Sequence, residues 1–201
     1  TPGSNSIRQP LDNLRNAGLI YGNIIYNKAP VMMQKLVEIM GEEAYQEGIR
    51  KYLKTYAYGN ATWDDLIAIL DAKTEEDLAT FSDVWVNQKG MPHINFTNRC
   101  GQLEIRQRDP LNRGLLWPQR FQITFQGAES TTVEVNLMKE SAILDVPEGT
   151  EAILPNTDER GYGLFIPDEQ SKEWLLAHWQ ETTDDTARQS LLMMLYENYQ
   201  H

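Results

Sequence analysis

The sequence predicts an α+β protein, in which a helical bundle is followed by a small antiparallel β-sandwich and then by further helix. Up to about residue 87, apolar residues recur at the spacing of three to four residues that is typical of helices. Beyond Pro92 they alternate with polar residues at the period of two that is typical of strands. Helical spacing returns after Pro167 and continues to the end of the sequence.

Glycine and capping residues divide the first half of the chain into helices. Gly41 separates the first two helices, and the second is expected to end at Gly59 and Asn60. Thr62, with Asp65 three residues later, predicts the N-cap and the first-turn acid of a third helix. The chain is therefore predicted to be helical from Ile24 to about Asn87.

A fourth helix is expected to start near Thr74 and to stop at Gly90. Acidic residues follow Thr74 and suit the positive amino end of a helix. At the other end, Gly90 predicts a left-handed cap, and Pro92 two residues later cannot continue the helix. The inward positions of this helix are expected to be Leu78, Phe81, Val84 and Trp85.

Alternating and short apolar segments predict about seven strands between Pro92 and Pro167. They lie around Ile94, Leu103, Phe121 and Val133 and at residues 142–146, 152–154 and 164–166. Prolines and glycines break the later runs at the spacing expected of a small antiparallel sandwich. We therefore predict three segments: a helical domain at 1–90, a β-sandwich at 91–167, and a helical segment at 168–201. The last segment has a broad apolar face, which predicts either the start of a truncated helical domain or a helical cap at the terminus.

Charge and composition exclude several classes of partner. The net charge is -11, from 29 acidic and 18 basic residues, and no basic stripe is present that could follow a phosphate backbone, so nucleic acid is not expected as a partner. No apolar run approaches the roughly 18 residues of a membrane span. The compartment stays open between cytoplasmic and periplasmic or extracellular.

Metal-ligand patterns are missing from the sequence. The single Cys100 excludes an internal disulfide and a thiolate zinc cluster. The histidines, His93, His178 and His201, are separated by tens of residues, so they do not form the His-Glu-x-x-His pattern that places two zinc ligands on one helical face. No metal ligand is therefore assigned in these residues.

Several short motifs occur in an order that resembles one family. They are Tyr26-Asn27-Lys28-Ala29, Gly41-Glu42-Glu43-Ala44-Tyr45, Asn60-Ala61-Thr62, the spacing of Trp85, Gln88, Gly90 and Pro92, and Gly161-Tyr162. In this order they resemble the zinc aminopeptidases of the aminopeptidase N type, gluzincins related to leukotriene hydrolase. The resemblance implies that residues 1–90 belong to the carboxy-terminal lobe of a thermolysin-like catalytic domain. It is good up to about Phe96 and poor after Pro167.

The resemblance also implies an activity for the full-length protein, namely hydrolysis of amino-terminal residues from peptides. The family's zinc motif would precede Thr1, in an upstream catalytic lobe of the same chain. Zinc is thus expected in the full-length protein and not in this segment, which alone should be inactive. The matching tyrosine of the family donates its hydroxyl hydrogen to the oxyanion, so Tyr26 is the predicted catalytic residue. Tyr21 is expected to line the cleft and bind substrate.

Two positions in and after the signature bear on whether the protein is catalytic. Ala29 replaces the family's glycine, and Pro30 falls in the first helical turn, where proline is tolerated because its missing donor would be unpaired. Lys28 has no evident role and is expected to be an exposed or ion-paired helical lysine. The departure at Ala29 mildly favours an alternative, a non-catalytic relative whose zinc motif has decayed and which binds peptides or partners. A third hypothesis is that residues 91–167 form an independent binding module, which would fold alone.

Overall fold

A computed structural model describes residues 6–9, 13, 15 and 28–200 of the chain, which divides between Lys89 and Gly90 into two compact units. The described part of the first unit is helical, and the second contains two β-sheets and two α-helices. The predicted α+β class is therefore confirmed. Among the described residues, no helix is both long enough and apolar enough to cross a membrane.

The first unit contains four α-helices within its described residues. They are α1 (Ala29–Met40), α2 (Glu42–Thr55), α3 (Trp63–Asp71) and α4 (Leu78–Ser82), and α4 continues as a π-helical segment (Asp83–Asn87). Gly41 separates α1 from α2 as predicted, with a φ of 83°, a left-handed conformation that glycine adopts without steric cost. Thr62 and Asp65 form the capping box of α3, because Asp65 N donates to Thr62 Oγ1 at 3.2 Å and Thr62 N donates to Asp65 Oδ2 at 2.8 Å.

The predicted bounds of the fourth helix are wrong at both ends. It begins at Leu78 rather than near Thr74, because the Asp77 side chain accepts a hydrogen bond from Thr80 N at 2.9 Å and so caps the helix. Helical structure ends at Asn87, since Gln88 N donates to Asp83 O at 3.1 Å and Gln88 then turns extended. Gly90 has the expected positive φ, 97°, but it lies beyond this cap.

A close approach of two helices organises the packing of the first unit. Gly48 of α2 is buried, and a Cβ atom at this position would strike Leu70 Cδ2 of α3. The missing side chain therefore lets the two helices pack closely. The largest fully buried side chains of this unit include Leu36, Leu70 and Trp85.

The second unit begins with seven strands, as many as were predicted. They are β1 (His93–Arg99), β2 (Gln102–Arg108), β3 (Gln119–Gln126), β4 (Thr131–Leu137), β5 (Ser141–Asp145), β6 (Ala152–Pro155) and β7 (Leu164–Ile166). They form one sheet in the order β5-β2-β1-β7 and a second in the order β4-β3-β6. Their inward apolar side chains form one shared core, in which the rings of Phe121 and Phe165 meet edge to face at 5.1 Å.

One strand pair departs from the antiparallel prediction. β7 pairs with β1 in parallel, with Leu164 opposite His93, whereas the other four pairs are antiparallel. Hairpin connections impose antiparallel pairing, but β7 follows a strand of the other sheet and reaches the open edge of β1 through a crossover.

Two α-helices complete the second unit. They are α5 (Glu169–His178), followed by a 3-10 turn (Trp179–Glu181), and α6 (Asp185–Gln200). Leu175, Leu191 and Met194 of these helices belong to the same buried core as the strands. A hydrogen bond links α5 to β6, because Ser171 Oγ accepts from Ile153 N at 2.8 Å. That residues 168–201 also begin a larger helical domain stays a prediction.

Candidate functional site

The two tyrosines predicted for the site, Tyr26 and Tyr21, lie outside the described residues. Continuous description starts at Lys28, two residues after Tyr26 and one residue before α1. The site can therefore be built from α1, the helix that follows the predicted catalytic residue.

The backbone is already helical at Lys28, the residue before α1. Lys28 has φ -72° and ψ -40°, and its side chain makes no capping hydrogen bond. Pro30 lies in the first turn and the helix forms regardless, as predicted. The first turn contains no acidic residue. The partial positive charge of the helix amino end is thus not balanced by a carboxylate of its own first turn.

The buried face of α1 carries two lysines. Lys28, Met32, Lys35 and Leu36 are all buried, and their spacing places them on one side of the helix. Lys28 is only 6% exposed and Lys35 only 1% exposed. A buried ammonium group loses its hydration, so this face is costly unless charged or polar groups compensate it.

For Lys35, a neighbouring carboxylate compensates the burial of the ammonium group. Lys35 Nζ lies 2.9 Å from the carboxylate of Glu38, whose side chain is itself largely buried. Lys28 was expected to be exposed or ion-paired, and its burial excludes the exposed alternative. No prediction was made for Lys35. The spacing of both lysines from Met32 and Leu36, at positions one and two turns apart, was the available signal.

A zinc ion does not fit the described residues. Among them, no group of three or more His, Cys, Asp or Glu side chains is arranged to hold a metal ion. The His178 ring stacks on Trp174 with ring centres 4.9 Å apart, and its Nδ1 lies 3.0 Å from the Trp174 carbonyl oxygen, so local packing and a backbone contact explain this side chain.

The second unit contains an open cleft of about 310 Å³ beside the Gly161-Tyr162 turn. Glu159, Ser190 and Glu197 contribute polar groups to its lining. Burial raises the pKa of Tyr162 to about 12, so this phenol stays protonated at neutral pH. The predicted glycine-tyrosine segment therefore lines a cleft, in which the Ser190 hydroxyl donates a hydrogen bond to Asn156 O at 2.6 Å.

Comparisons with known proteins find similarity to one family of peptidases. Residues 1–85 match the peptidase family M1 domain. Aminopeptidase M1-A of Oryza sativa subsp. japonica is 30% identical over 112 residues, which cover 56% of this chain and 13% of that protein. Aminopeptidase N of Streptomyces lividans is 27% identical over 210 aligned positions, covering 93% of this chain and 24% of that protein.

A third relative extends the comparison to mammals. Endoplasmic reticulum aminopeptidase 2 of Homo sapiens is 26% identical over 200 aligned positions, which cover 79% of this chain and 21% of that protein. The chain thus spans less than a quarter of the length of each of these three relatives. Residues 1–85 thus match the peptidase family M1 domain, and longer stretches of the chain are similar to proteins named as aminopeptidases.

Proposed function

We propose that the chain is part of a zinc-dependent aminopeptidase that removes amino-terminal residues from peptides, and that Tyr26 stabilises the oxyanion of that reaction. The observation that carries the proposal is the family match over residues 1–85, which includes the Tyr26-Asn27-Lys28-Ala29 signature. In this proposal an upstream lobe of the same protein would hold the zinc ion, which would supply activation of the attacking water. Tyr21 lines the cleft that receives the peptide.

The chemistry of a phenol suits the role given to Tyr26. With a reference pKa of about 10, a tyrosine stays protonated at neutral pH and can donate a hydrogen bond. When water attacks the scissile carbonyl, negative charge develops on the carbonyl oxygen. One donor aimed at such a charge is typically worth about 100-fold to 1000-fold in rate. The isolated chain should be inactive, because the proposed water-activating lobe is absent.

The alternative of a non-catalytic relative rested on Ala29. This residue adopts helical conformation at the start of α1, so the position does not need the left-handed backbone that only glycine adopts readily. The replacement of glycine therefore does not by itself argue against catalysis. The coding sequence upstream of Thr1 separates the two proposals, since a catalytic protein needs His-Glu-x-x-His and a later Glu.

The test uses the full-length protein encoded by the gene, assayed with an aminoacyl reporter substrate. Tyr26→Phe should lower kcat by about 100-fold or more, because it removes only the donor hydroxyl. Tyr58→Phe removes the hydroxyl of a fully exposed tyrosine and is the matched control. Turnover that is unchanged in Tyr26→Phe would overturn the assignment of the oxyanion role.

A further inference from the structure

We propose that the cleft between α6 and residues 156–163, which we call the α6 cleft, binds an arginine side chain of a peptide. This inference goes beyond the proposed function, because it needs neither a zinc ion nor Tyr26. One wall of the α6 cleft is the loop between β6 and β7, and the other is one face of α6. Its described lining residues all belong to the second unit.

Hydrogen bonds hold the two walls of the α6 cleft in place. Ser190 Oγ of α6 donates to Asn156 O of the loop at 2.6 Å, and Asn156 Oδ1 in turn accepts from Gly161 N at 2.6 Å. At the other end of the cleft, Asn198 Nδ2 of α6 donates to Phe165 O of β7 at 2.7 Å. The cleft is therefore preformed, which lowers the ordering cost that a ligand must overcome.

The apolar part of the lining suits the stem of a long side chain. It consists of three methionines and two aromatic rings, which are Met91, Met193, Met194, Tyr162 and Phe165. Methionine side chains adapt to the shape of a ligand, and an aromatic face attracts a guanidinium group. A volume of about 310 Å³ is at the lower end of the range for ligand pockets, about 300–1,000 Å³, so it suits one long side chain rather than a folded segment.

The charge of the lining selects a cation. Glu159 of the loop and Glu197 of α6 place one carboxylate on each wall, and none of the described lining residues is a lysine, arginine or histidine. A carboxylate offers about four acceptor sites, so a contact that Glu197 makes within the chain leaves sites for a ligand. A guanidinium group can donate to carboxylates through several N–H groups at once. The net charge of -11 adds a field that attracts cations.

Two arginines that neighbour the lining residues in sequence bind carboxylates outside the α6 cleft. Arg160 follows Glu159, and its guanidinium lies 2.7 Å from the carboxylate of Asp158 and 3.2 Å from that of Glu134. Arg188 pairs with Asp185 at the amino end of α6. The arginine that we assign to the cleft is therefore supplied by the peptide.

The methionine methyl groups report binding in the 201-residue chain, because three of its seven methionines line the α6 cleft. The methyl groups are isotope-labelled, and the blocked peptide acetyl-Gly-Arg-Gly-amide is titrated while their NMR signals are recorded. The signals of Met91, Met193 and Met194 should shift and saturate, while those of Met32 and Met138 should stay in place. The same peptide with citrulline, which has nearly the same shape and no charge, should bind about threefold more weakly or worse.

Carboxylate substitutions locate the charge that selects the peptide. Glu159→Gln and Glu197→Gln should each weaken binding of the arginine peptide by about twofold or more and reduce its advantage over the citrulline peptide. Glu148→Gln, at an exposed position outside the lining, is the matched control and should leave binding unchanged. Equal binding of the two peptides, the absence of a saturable shift at the three methionines, or an equal effect of Glu148→Gln would each overturn the assignment. Glu159 is exposed, so its variant should keep the fold, and unchanged signals of Met32 and Met138 verify this.

Discussion

The buried side chain of Gln119 makes two hydrogen bonds to the backbone of Tyr162. Tyr162 N donates to Gln119 Oε1 at 2.8 Å, and Gln119 Nε2 donates to Tyr162 O at 3.0 Å. Gln119 is the first residue of β3, and Tyr162 lies in the loop before β7. One side chain thus satisfies both backbone groups of a loop residue, much as a neighbouring strand would.

Gln119→Ala should lower the free energy of unfolding of the 201-residue chain by about 2 kcal/mol or more. The substitution leaves the N–H and C=O groups of Tyr162 without these partners, and each unsatisfied buried group costs about 1–3 kcal/mol. Urea unfolding measures the change. Gln102→Ala, at an exposed position of β2, is the control and should change stability by less than about 0.5 kcal/mol. Equal effects of the two substitutions would contradict the proposed anchoring.

The alternation of apolar and polar residues predicted the strands but not the buried glutamines. Leu103 and Ile105 of β2 are buried as predicted, and Gln107 continues the same alternation into the core. Its amide accepts from Trp117 N at 2.8 Å and donates to Lys139 O at 2.8 Å, so loops distant in sequence satisfy it. A sequence pattern that sorts residues by polarity assigns glutamine to the surface, because these partners become neighbours only in the folded chain.

The candidate site residues were predicted from motifs rather than from periodicity. The Tyr26 signature, together with the motifs that follow it along the chain, indicated the resemblance, and helical spacing predicted α1 with Met32 and Leu36 on its inner face. Periodicity could not show that Lys28 and Lys35 share that face, since it treats a lysine as solvent-exposed whatever its neighbours are. The roles of Tyr26 and Tyr21 stay predictions, because both residues lie outside the described part of the chain.

Gly161→Ala should destabilise the chain, because the position has no room for a side chain. A Cβ atom at residue 161 would strike the ring of Phe165 and lie 2.7 Å from Asn156 Oδ1. That asparagine oxygen also accepts a hydrogen bond from Gly161 N at 2.6 Å, so moving it away weakens the turn. Overpacking of this kind typically costs about 1–3 kcal/mol, measurable by thermal or urea unfolding.

Gly59→Ala provides the comparison for this glycine. A Cβ atom at residue 59 would meet nothing closer than Tyr56 O at 3.5 Å, an ordinary van der Waals contact. This substitution should be close to neutral, since its main effect is on the entropy of the unfolded chain. If both alanine variants were equally stable, the close packing at Gly161 would not constrain the turn.

Asp109 should make the stability of the chain depend on pH below about 4. Burial alone would raise the pKa of Asp109, but hydrogen bonds from the Arg113 guanidinium and from the backbone N–H groups of Leu111 and Arg113 lower it to about 2. A folded-state pKa below the unfolded value stabilises the fold above the unfolded pKa. That stabilisation is lost as the pH falls from about 4 to about 2.

Asp109→Asn should therefore lower the free energy of unfolding by roughly 2 kcal/mol at pH 6, and the deficit should shrink as the pH approaches 2. Urea unfolding at a series of pH values measures both quantities. Asp145→Asn, at an exposed position at the end of β5, is the matched control and should show no such convergence. A deficit of Asp109→Asn that is constant from pH 6 to pH 2 would exclude the carboxylate as the titrating group.

Two pairs of neighbouring leucines, one in α5 and one in α6, test whether these helices are part of the core of the second unit. Leu175 is fully buried while Leu176 is 61% exposed, and Leu191 is fully buried while Leu192 is 39% exposed. Replacing a fully buried leucine by alanine typically costs about 2–5 kcal/mol, whereas surface substitutions usually fall within about 0.5 kcal/mol. Leu175→Ala and Leu191→Ala should therefore destabilise the chain strongly, and Leu176→Ala and Leu192→Ala should not.

Truncation after Pro167 should strongly destabilise the second unit, because it removes both α5 and α6. It removes Leu175, Leu191 and Met194 from the core, together with the hydrogen bond that Ser171 accepts from Ile153. Burying each such side chain contributes about 1.5–3 kcal/mol, so the loss is comparable with the whole stability of a domain, about 5–15 kcal/mol. A chain of residues 91–167 should therefore lack a cooperative unfolding transition, and a chain of residues 91–201 should have one, with circular dichroism in urea as the measurement. Cooperative unfolding of the 91–167 chain at the same urea concentration as the 91–201 chain would instead support residues 91–167 as an independent module.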